Sequence, residues 1–399
     1  MIGQEFDFSK EYGVVLEGGG AKGAYQIGVW KAFLEYGVKI KAVAGVSVGA
    51  LNGALMCMGD YEKAVTIWKS ISYSSVMNVD DNEMGKLMSR KFKKMSLQAV
   101  RIQSKKFLVG GGFDVTPLKQ LLEENVDEQK IKESEIEFIM GTFNVSDMKE
   151  LEITAKDAEA GYLKDYLLAS TNLPFFKNEK LLGKTYLDGG FTNNVPIDML
   201  INRGYKNIIV VRIFGNGVEK KVKIPSDVNV VYFAPKIHLC NLLEFDKKKA
   251  VRNISLGYYD AIRILKPLTG SSYYIDSSRS EKEYLESLLY LKEDLIKELI
   301  VFNKLDYDSN SSNLRMLTEE VYPKLAIMFK LEKNWQYRDL YYAILEYSAK
   351  KFRIKKYSIY LEQEFCNLLN SKIIEKYQEE EQPDIMMDLS LSIIQNILA

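Results

Sequence analysis

The pattern of apolar and polar positions divides the chain into two parts. Up to about Pro267, short apolar runs alternate with segments of helical period. Tyr12 to Glu17 (YGVVLE) reads as a buried strand, and the turn GGGAKG after it leads into Tyr25, Ile27, Trp30, Phe33 and Leu34 at helical spacing. Ile40 to Ala44 makes a second strand, after which GVSVGALNGALM turns sharply back into a helix of small residues. Further strands are expected at Ile136 to Val145, Leu151 to Ala155, Tyr186 to Leu187, Asn207 to Phe214 and Val228 to Phe233. Strands alternating with helices predict an α/β sheet covered on both faces. Beyond Pro267 the turn-rich stretch Gly270 to Arg279 gives way to helical periodicity, with Leu285, Leu288, Leu289, Ile296 and Leu299 and then Tyr337, Leu340, Tyr341 and Ile344 in register. The expected organisation is an α/β domain over 10–267, a linker over 268–280 and a helical C-terminal domain over 281–399.

Composition narrows the chemistry. Lysine and arginine total 54 and aspartate and glutamate total 54, so the chain is neutral and lacks the field of a dedicated nucleic-acid binder. Three widely spaced cysteines, Cys57, Cys240 and Cys366, suggest neither a disulfide framework nor a thiolate metal site, and favour a reducing, cytoplasmic setting. The N-terminus has neither the basic nor the apolar region of a signal peptide. The most apolar stretch, Ala42 to Met58, is interrupted by Ser47 and Asn52, and no transmembrane helix is expected. The chain holds one histidine, His238, which excludes polyhistidine metal sites and leaves a Ser-His-Asp triad a single possible base.

Three glycine-bearing motifs carry candidate chemistry. Gly18-Gly19-Gly20-Ala21-Lys22-Gly23 fits GxGxxG between a strand and a helix, the formal mark of a dinucleotide site. The acidic ribose ligand expected about 20 residues later is missing, since the second strand offers Lys39 and Lys41, and no Lys-Ser or Lys-Thr completes a phosphate loop. What remains is backbone chemistry: N–H groups facing a cavity at a helix N-terminus, where developing negative charge is stabilised. Gly45-Val46-Ser47-Val48-Gly49 fits the GxSxG elbow, which projects a serine hydroxyl above a sheet and aims the next N–H, that of Val48, at the same cavity. Asp188-Gly189-Gly190 sets a carboxylate beside two flexible residues, although Asp-Gly is also a common turn pair.

In this order, GGGAKG, GVSVG and LDGG resemble the three signature motifs of the patatin-like phospholipase family, whose bacterial members hydrolyse acyl esters of membrane lipids. FDVTPLKQLL (113–122), ASTNLPFF (169–176) and NNVP after the aspartate are similar to the same family, and the resemblance covers roughly residues 10–267. It implies a three-layer α/β/α hydrolase with a C-terminal helical extension. It further implies Ser47 as nucleophile, Asp188 as general base in a Ser-Asp dyad without histidine, Gly18 to Gly23 with Val48 as the oxyanion hole, and no metal or cofactor. The expected substrate is a phospholipid. The alternatives are an esterase, lipase or thioesterase on other acyl esters, or a membrane-binding effector regulated by its C-terminal domain. Lys22 reads equally as a surface charge or a catalytic aid, and His238 as a solvated or packed residue.

A membrane contact is expected in 84–113. Eight basic residues from Lys86 to Lys106 meet no acidic one, and Met84, Met88, Phe92, Met95, Ala99 and Ile102 recur at helical steps. A structural cap over the site is the competing reading of that segment. The C-terminal helices offer a surface for regulation or for homo-oligomer formation, and their basic cluster 350–356 reads as a solvated face.

Overall fold

The computed structural model describes residues 6–91, 112–177, 179–181, 183–306, 311–379 and 384–398, and the chain divides into two units, Met1–Leu265 and Lys266–Ala399. Most of the basic stretch within 84–113 therefore lies outside the described residues; Met84, at its start, is buried.

The first unit is built on a mixed sheet in the order β4-β3-β2-β1-β6-β7, formed by Lys149–Thr154, Glu137–Asn144, Lys39–Val46, Glu11–Leu16, Asn207–Val211 and Asn229–Phe233. Strands β3, β2, β1, β6 and β7 run parallel, while β4 and the short β5 (Tyr186–Asp188) pair antiparallel with β3. Val14, Val15 and Leu16 are all buried, as are Ile208 to Val211, because both faces of the sheet are covered. One face, with Val15, Ala42, Ala44, Ile139, Ile208 and Val210, packs on Ile197, Met199 and Leu200 of the helix Ile197–Ile201. On the other, the helix α2 (Val48–Met58) brings Gly53 against Val43 and Phe138, and α1 (Ala24–Glu35) sets Phe33 edge-on to Phe233 with ring centroids 5.1 Å apart. The result is a three-layer α/β/α sandwich.

Two details depart from the periodicity. Leu34 is exposed although it follows the apolar pattern of α1, whose buried side is filled by Tyr25, Ile27, Trp30 and Phe33. Strand β6 stops at Val211 rather than Phe214, because the next backbone N–H groups turn to a buried carboxylate described below. The sequence order reverses at β1, between β2 and β6, and the loops after these three strands meet at their carboxyl ends, the place where open α/β sheets hold ligands.

The second unit is helical, with helices Glu281–Leu289, Glu293–Phe302, Tyr337–Lys351, Glu362–Glu379 and Ile385–Leu398 around a core that includes Leu288, Leu299, Leu340, Tyr341 and Ile344. A small sheet in it pairs β8 (Tyr274–Asp276) with β9 (Ile359–Leu361) in parallel. The stretch expected as a linker thus holds a strand, and Tyr273 beside it is fully buried in this unit's core.

Candidate active site

Ser47 alone makes the turn from β2 into α2, with φ 55° and ψ −131°, a backbone conformation that a residue with a side chain adopts only under constraint. The constraint is visible. Its N–H donates to Ser170 Oγ at 2.9 Å, and that hydroxyl donates to the Gly141 carbonyl at 2.7 Å. The Ser47 carbonyl accepts from the N–H groups of Ala50 and Leu51, so the residue is tied to the first turn of α2. Gly45 and Gly49 are required by closeness: a Cβ on Gly45 would lie 2.4 Å from the Gly49 carbonyl oxygen, and one on Gly49 would lie 2.1 Å from that of Leu16.

Asp188 ends β5 opposite Thr142 of β3. Its N–H donates to the Asn172 carbonyl at 2.8 Å, and its carboxylate accepts from the Gly190 N–H at 2.7 Å and from the Ser47 hydroxyl. Gly189 packs on β3, since a Cβ there would come 2.5 Å from the Gly141 carbonyl oxygen. Asp188 is buried, and loss of water pushes its carboxyl up to about 6 despite the two hydrogen bonds that favour its charged form.

The glycine loop after β1 lies against this pair: a Cβ on Gly18 would sit 3.2 Å from Ser47 Cβ. Not all of its N–H groups are free to receive an oxyanion. Gly18 donates to the Asn194 carbonyl, Ala21 to that of Leu242 and Lys22 to that of Gly19, and Gly23 leads into α1. Among the described residues, the N–H groups of Gly19 and Gly20 in the loop and of Val48 at the start of α2 make none of the turn and loop hydrogen bonds, which leaves them available as donors. Gly20 takes φ 55° and a Cβ there would meet the Leu242 carbonyl oxygen at 2.2 Å, so the loop needs glycine at that point. The six-residue expectation narrows accordingly to two loop donors plus Val48.

Lys22 is neither a surface charge nor aimed at the dyad. It is buried, its ammonium donates to the Phe214 carbonyl, and desolvation lowers its pKa while Cys240 and Glu17 oppose the shift. His238 is exposed, and its carbonyl accepts from Arg252 at 2.7 Å.

Beside Ser47 and Gly20 opens an apolar cavity walled by Leu51, Leu55, Trp68, Leu118, Leu122 and Phe176. The indole N–H of Trp68 is taken by Asn52 Oδ1 at 2.9 Å, so this wall presents hydrocarbon rather than a polar partner. Among the described residues no cluster of three or more histidine, cysteine, aspartate or glutamate side chains could hold a metal, and all three cysteines are free and buried.

Four residues that build the site escape sequence reasoning. Glu17, fully buried, accepts from the N–H groups of Ile213, Phe214 and Gly215 at 2.6, 3.0 and 2.9 Å and from Arg212 Nε at 2.9 Å. Asn194 joins three loops: its N–H donates to the Val218 carbonyl, its carbonyl accepts from Gly18, and its amide donates to the Gly18 carbonyl at 3.1 Å. Ser170 holds the elbow. Arg212 neutralises Glu17. The hints in the sequence are slight: Glu17 adjoins the first glycine motif, and Ser170 and Asn194 fall inside the stretches ASTNLPFF and NNVP without a role that the sequence alone assigns.

The model of the patatin-like phospholipase family matches residues 14–201, a span that contains Ser47, Asp188 and all three glycine motifs. The neuropathy target esterase sws of Drosophila melanogaster is 28% identical over 199 residues, 50% of this chain and 12% of that protein, and its Drosophila persimilis counterpart is 28% identical over 184 residues, 46% and 11%. The chain therefore spans about an eighth of the length of these curated relatives. VipD from Legionella pneumophila aligns over 97% of this chain and 91% of its own at 13% identity, with a TM-score of 0.36. The strained serine between β2 and α2, the aspartate that meets it and the sheet beneath them agree with the family match, and residues 14–201 match a patatin-like phospholipase domain.

Proposed function

We propose that the protein is a serine lipid acyl hydrolase that cleaves fatty-acyl esters of membrane phospholipids. The observation that carries this reading is the hydrogen bond from the Ser47 hydroxyl to a buried Asp188 whose carboxyl is raised to about 6. At neutral pH such a carboxylate is mostly ionised yet basic enough to take a proton, the balance a general base needs. Asp188 accepts the Ser47 proton as Oγ attacks the ester carbonyl. The N–H groups of Gly19, Gly20 and Val48 receive the oxyanion, and the leaving alcohol takes the proton back. Asp188 then takes a proton from water as the hydroxyl attacks the acyl-enzyme, and returns it to Ser47 Oγ as the fatty acid leaves. Each step uses only side chains and backbone of this chain.

The apolar cavity beside Ser47 favours a substrate with a hydrocarbon acyl chain. Such lipids reside in membranes, so the enzyme works at a lipid surface. The esterase name of the fly relatives favours a second reading, hydrolysis of acyl esters other than phospholipids. Release of free fatty acid from vesicles of defined phosphatidylcholine by the purified chain tests the first. No release, with turnover of a water-soluble short-chain ester, would favour the second, and inactivity on both would overturn each.

A further inference from the structure

The buried charges around the mouth of the site do no chemistry in this mechanism. What they do is fasten one residue. Phe214 follows β6 with φ 48°, a left-handed conformation costly for a bulky side chain. Its N–H donates to Glu17 and its carbonyl accepts from the Lys22 ammonium, both buried charges. Yet the residue is 54% exposed. The Arg212 guanidinium lies over that ring, 5.3 Å from its centre. A strained backbone held from both sides to keep an aromatic ring in water calls for a contact outside the molecule.

The position is specific. Ile213 and Gly215, on either side of Phe214, both pack on Gly19 of the oxyanion loop. Two further exposed apolar residues lie on segments linked to Asp188 through Gly190. Phe191 follows Gly190, whose N–H binds Asp188, and Val218 donates its N–H to the Gly190 carbonyl at 2.8 Å. Beyond Val218, Lys221 and Lys223 are exposed, whereas Lys220 between Val218 and Lys221 is paired with Glu150 and Asp198.

We propose that Phe214, with Phe191, Val218, Lys221 and Lys223, forms the patch through which the protein docks on a phospholipid surface, with the mouth of the site facing the lipid. The proposal rests on the lipid hydrolase reading for its choice of partner. A substrate whose acyl chain must enter an apolar cavity is presented in water as an aggregate, and an exposed apolar patch beside the oxyanion loop is placed to meet that aggregate. Apolar tips that enter the boundary layer, with lysines beside them that reach phosphates, suit such a surface.

The test is co-sedimentation of the full chain with large phosphatidylcholine vesicles, with and without phosphatidylglycerol. The chain carries Ser47→Ala so that no lipid is consumed. Phe214→Gly removes the ring while suiting the left-handed backbone, so the loop keeps its shape and the melting temperature holds or rises. It is expected to weaken partitioning about tenfold, as is Val218→Ser. Phe214→Trp should restore binding. Lys221→Gln with Lys223→Gln should weaken binding only to the anionic vesicles, and less so in high salt. In chains that retain Ser47, the rate of fluorophosphonate labelling without lipid reports whether the site stays intact. Unchanged partitioning in the Phe214→Gly, Val218→Ser double variant overturns the proposal. So does a loss of partitioning accompanied by slowed lipid-free labelling, which would make Phe214 a prop of the site. Because the readout is binding by a chain without its serine, failure of the hydrolase reading and failure of the patch are separate results.

Discussion

Asp188 in the first unit and Glu346 in the second are both buried carboxylates, and the fold uses them in opposite ways. Glu346 accepts from the N–H groups of Ser271, Ser272 and Tyr273 at 2.6, 2.9 and 3.1 Å and has Lys350 at 3.7 Å, so it clamps the turn before β8. Glu17 does the same for 213–215 in the first unit, with Arg212 as its counter-charge. Asp188 receives one backbone N–H and one serine hydroxyl, and no cation. Desolvation is thus left largely uncompensated, and its carboxyl rises to about 6. The number of donors around a buried carboxylate separates a scaffold from a base.

The largest test of this contrast is Ser47→Ala. Hydrolysis should fall to background and fluorophosphonate labelling should vanish, with an unchanged circular dichroism spectrum. An active, labelled variant would remove the nucleophile and with it the reason for an under-supplied aspartate.

Next comes a paired comparison of activity with stability. Asp188→Asn should lower turnover by roughly 1000-fold or more, since an amide accepts no proton, yet leave the melting temperature equal or higher. Glu17→Gln should instead cost about 1–3 kcal/mol of stability by leaving the buried N–H groups of 213–215 short of an acceptor, while Arg212 keeps its pair with Glu219, read from urea unfolding. The sign for Asp188 follows from linkage. Its folded pKa lies above its unfolded value of 3.8, so between 3.8 and about 6 the folded state binds the extra proton. Stability from this group is full below 3.8 and is lost as pH rises to about 6, an amount of the order of 3 kcal/mol. Asp188→Asn should flatten that part of the stability profile. Turnover runs the other way, falling about tenfold per pH unit below about 6 as the base becomes protonated. A stability loss in Asp188→Asn as large as that in Glu17→Gln would erase the distinction between base and scaffold.

Ser170→Ala sharpens the comparison on the side of the serine. It leaves the Ser47 N–H and the Gly141 carbonyl unpaired, which should cost about 1–3 kcal/mol and lower turnover more than it weakens substrate binding, because the strained elbow is held less firmly. A lowered melting temperature with kcat and KM unchanged would mean a general loosening instead. The smallest effect is expected from His238→Ala. The imidazole is at the surface, so turnover should stay within about twofold, and a folded but inactive variant would replace the dyad by a histidine mechanism.

The sequence by itself determined the order of strands and helices in the first unit and the three loops that carry chemistry. It could do so because these are local features: a strand buried on both faces must be apolar at consecutive positions, as in Val14 to Leu16, and an elbow with 2.1 Å and 2.4 Å approaches must have glycine where Gly49 and Gly45 stand. The helical spacing of Leu288, Leu299, Leu340 and Tyr341 revealed the second core in the same way. Only the tertiary structure decided which loop N–H groups remain free, that Lys22 is buried, and that β6 ends at Val211. Each of these rests on a partner far along the chain, such as Asn194 for Gly18, Phe214 for Lys22 and Glu17 for Ile213, separations of 176, 192 and 196 residues. A hydrogen bond across such a distance leaves no periodic trace in the sequence. The same holds for the raised pKa of Asp188, which follows from the donors and the water that the folded chain keeps away from it.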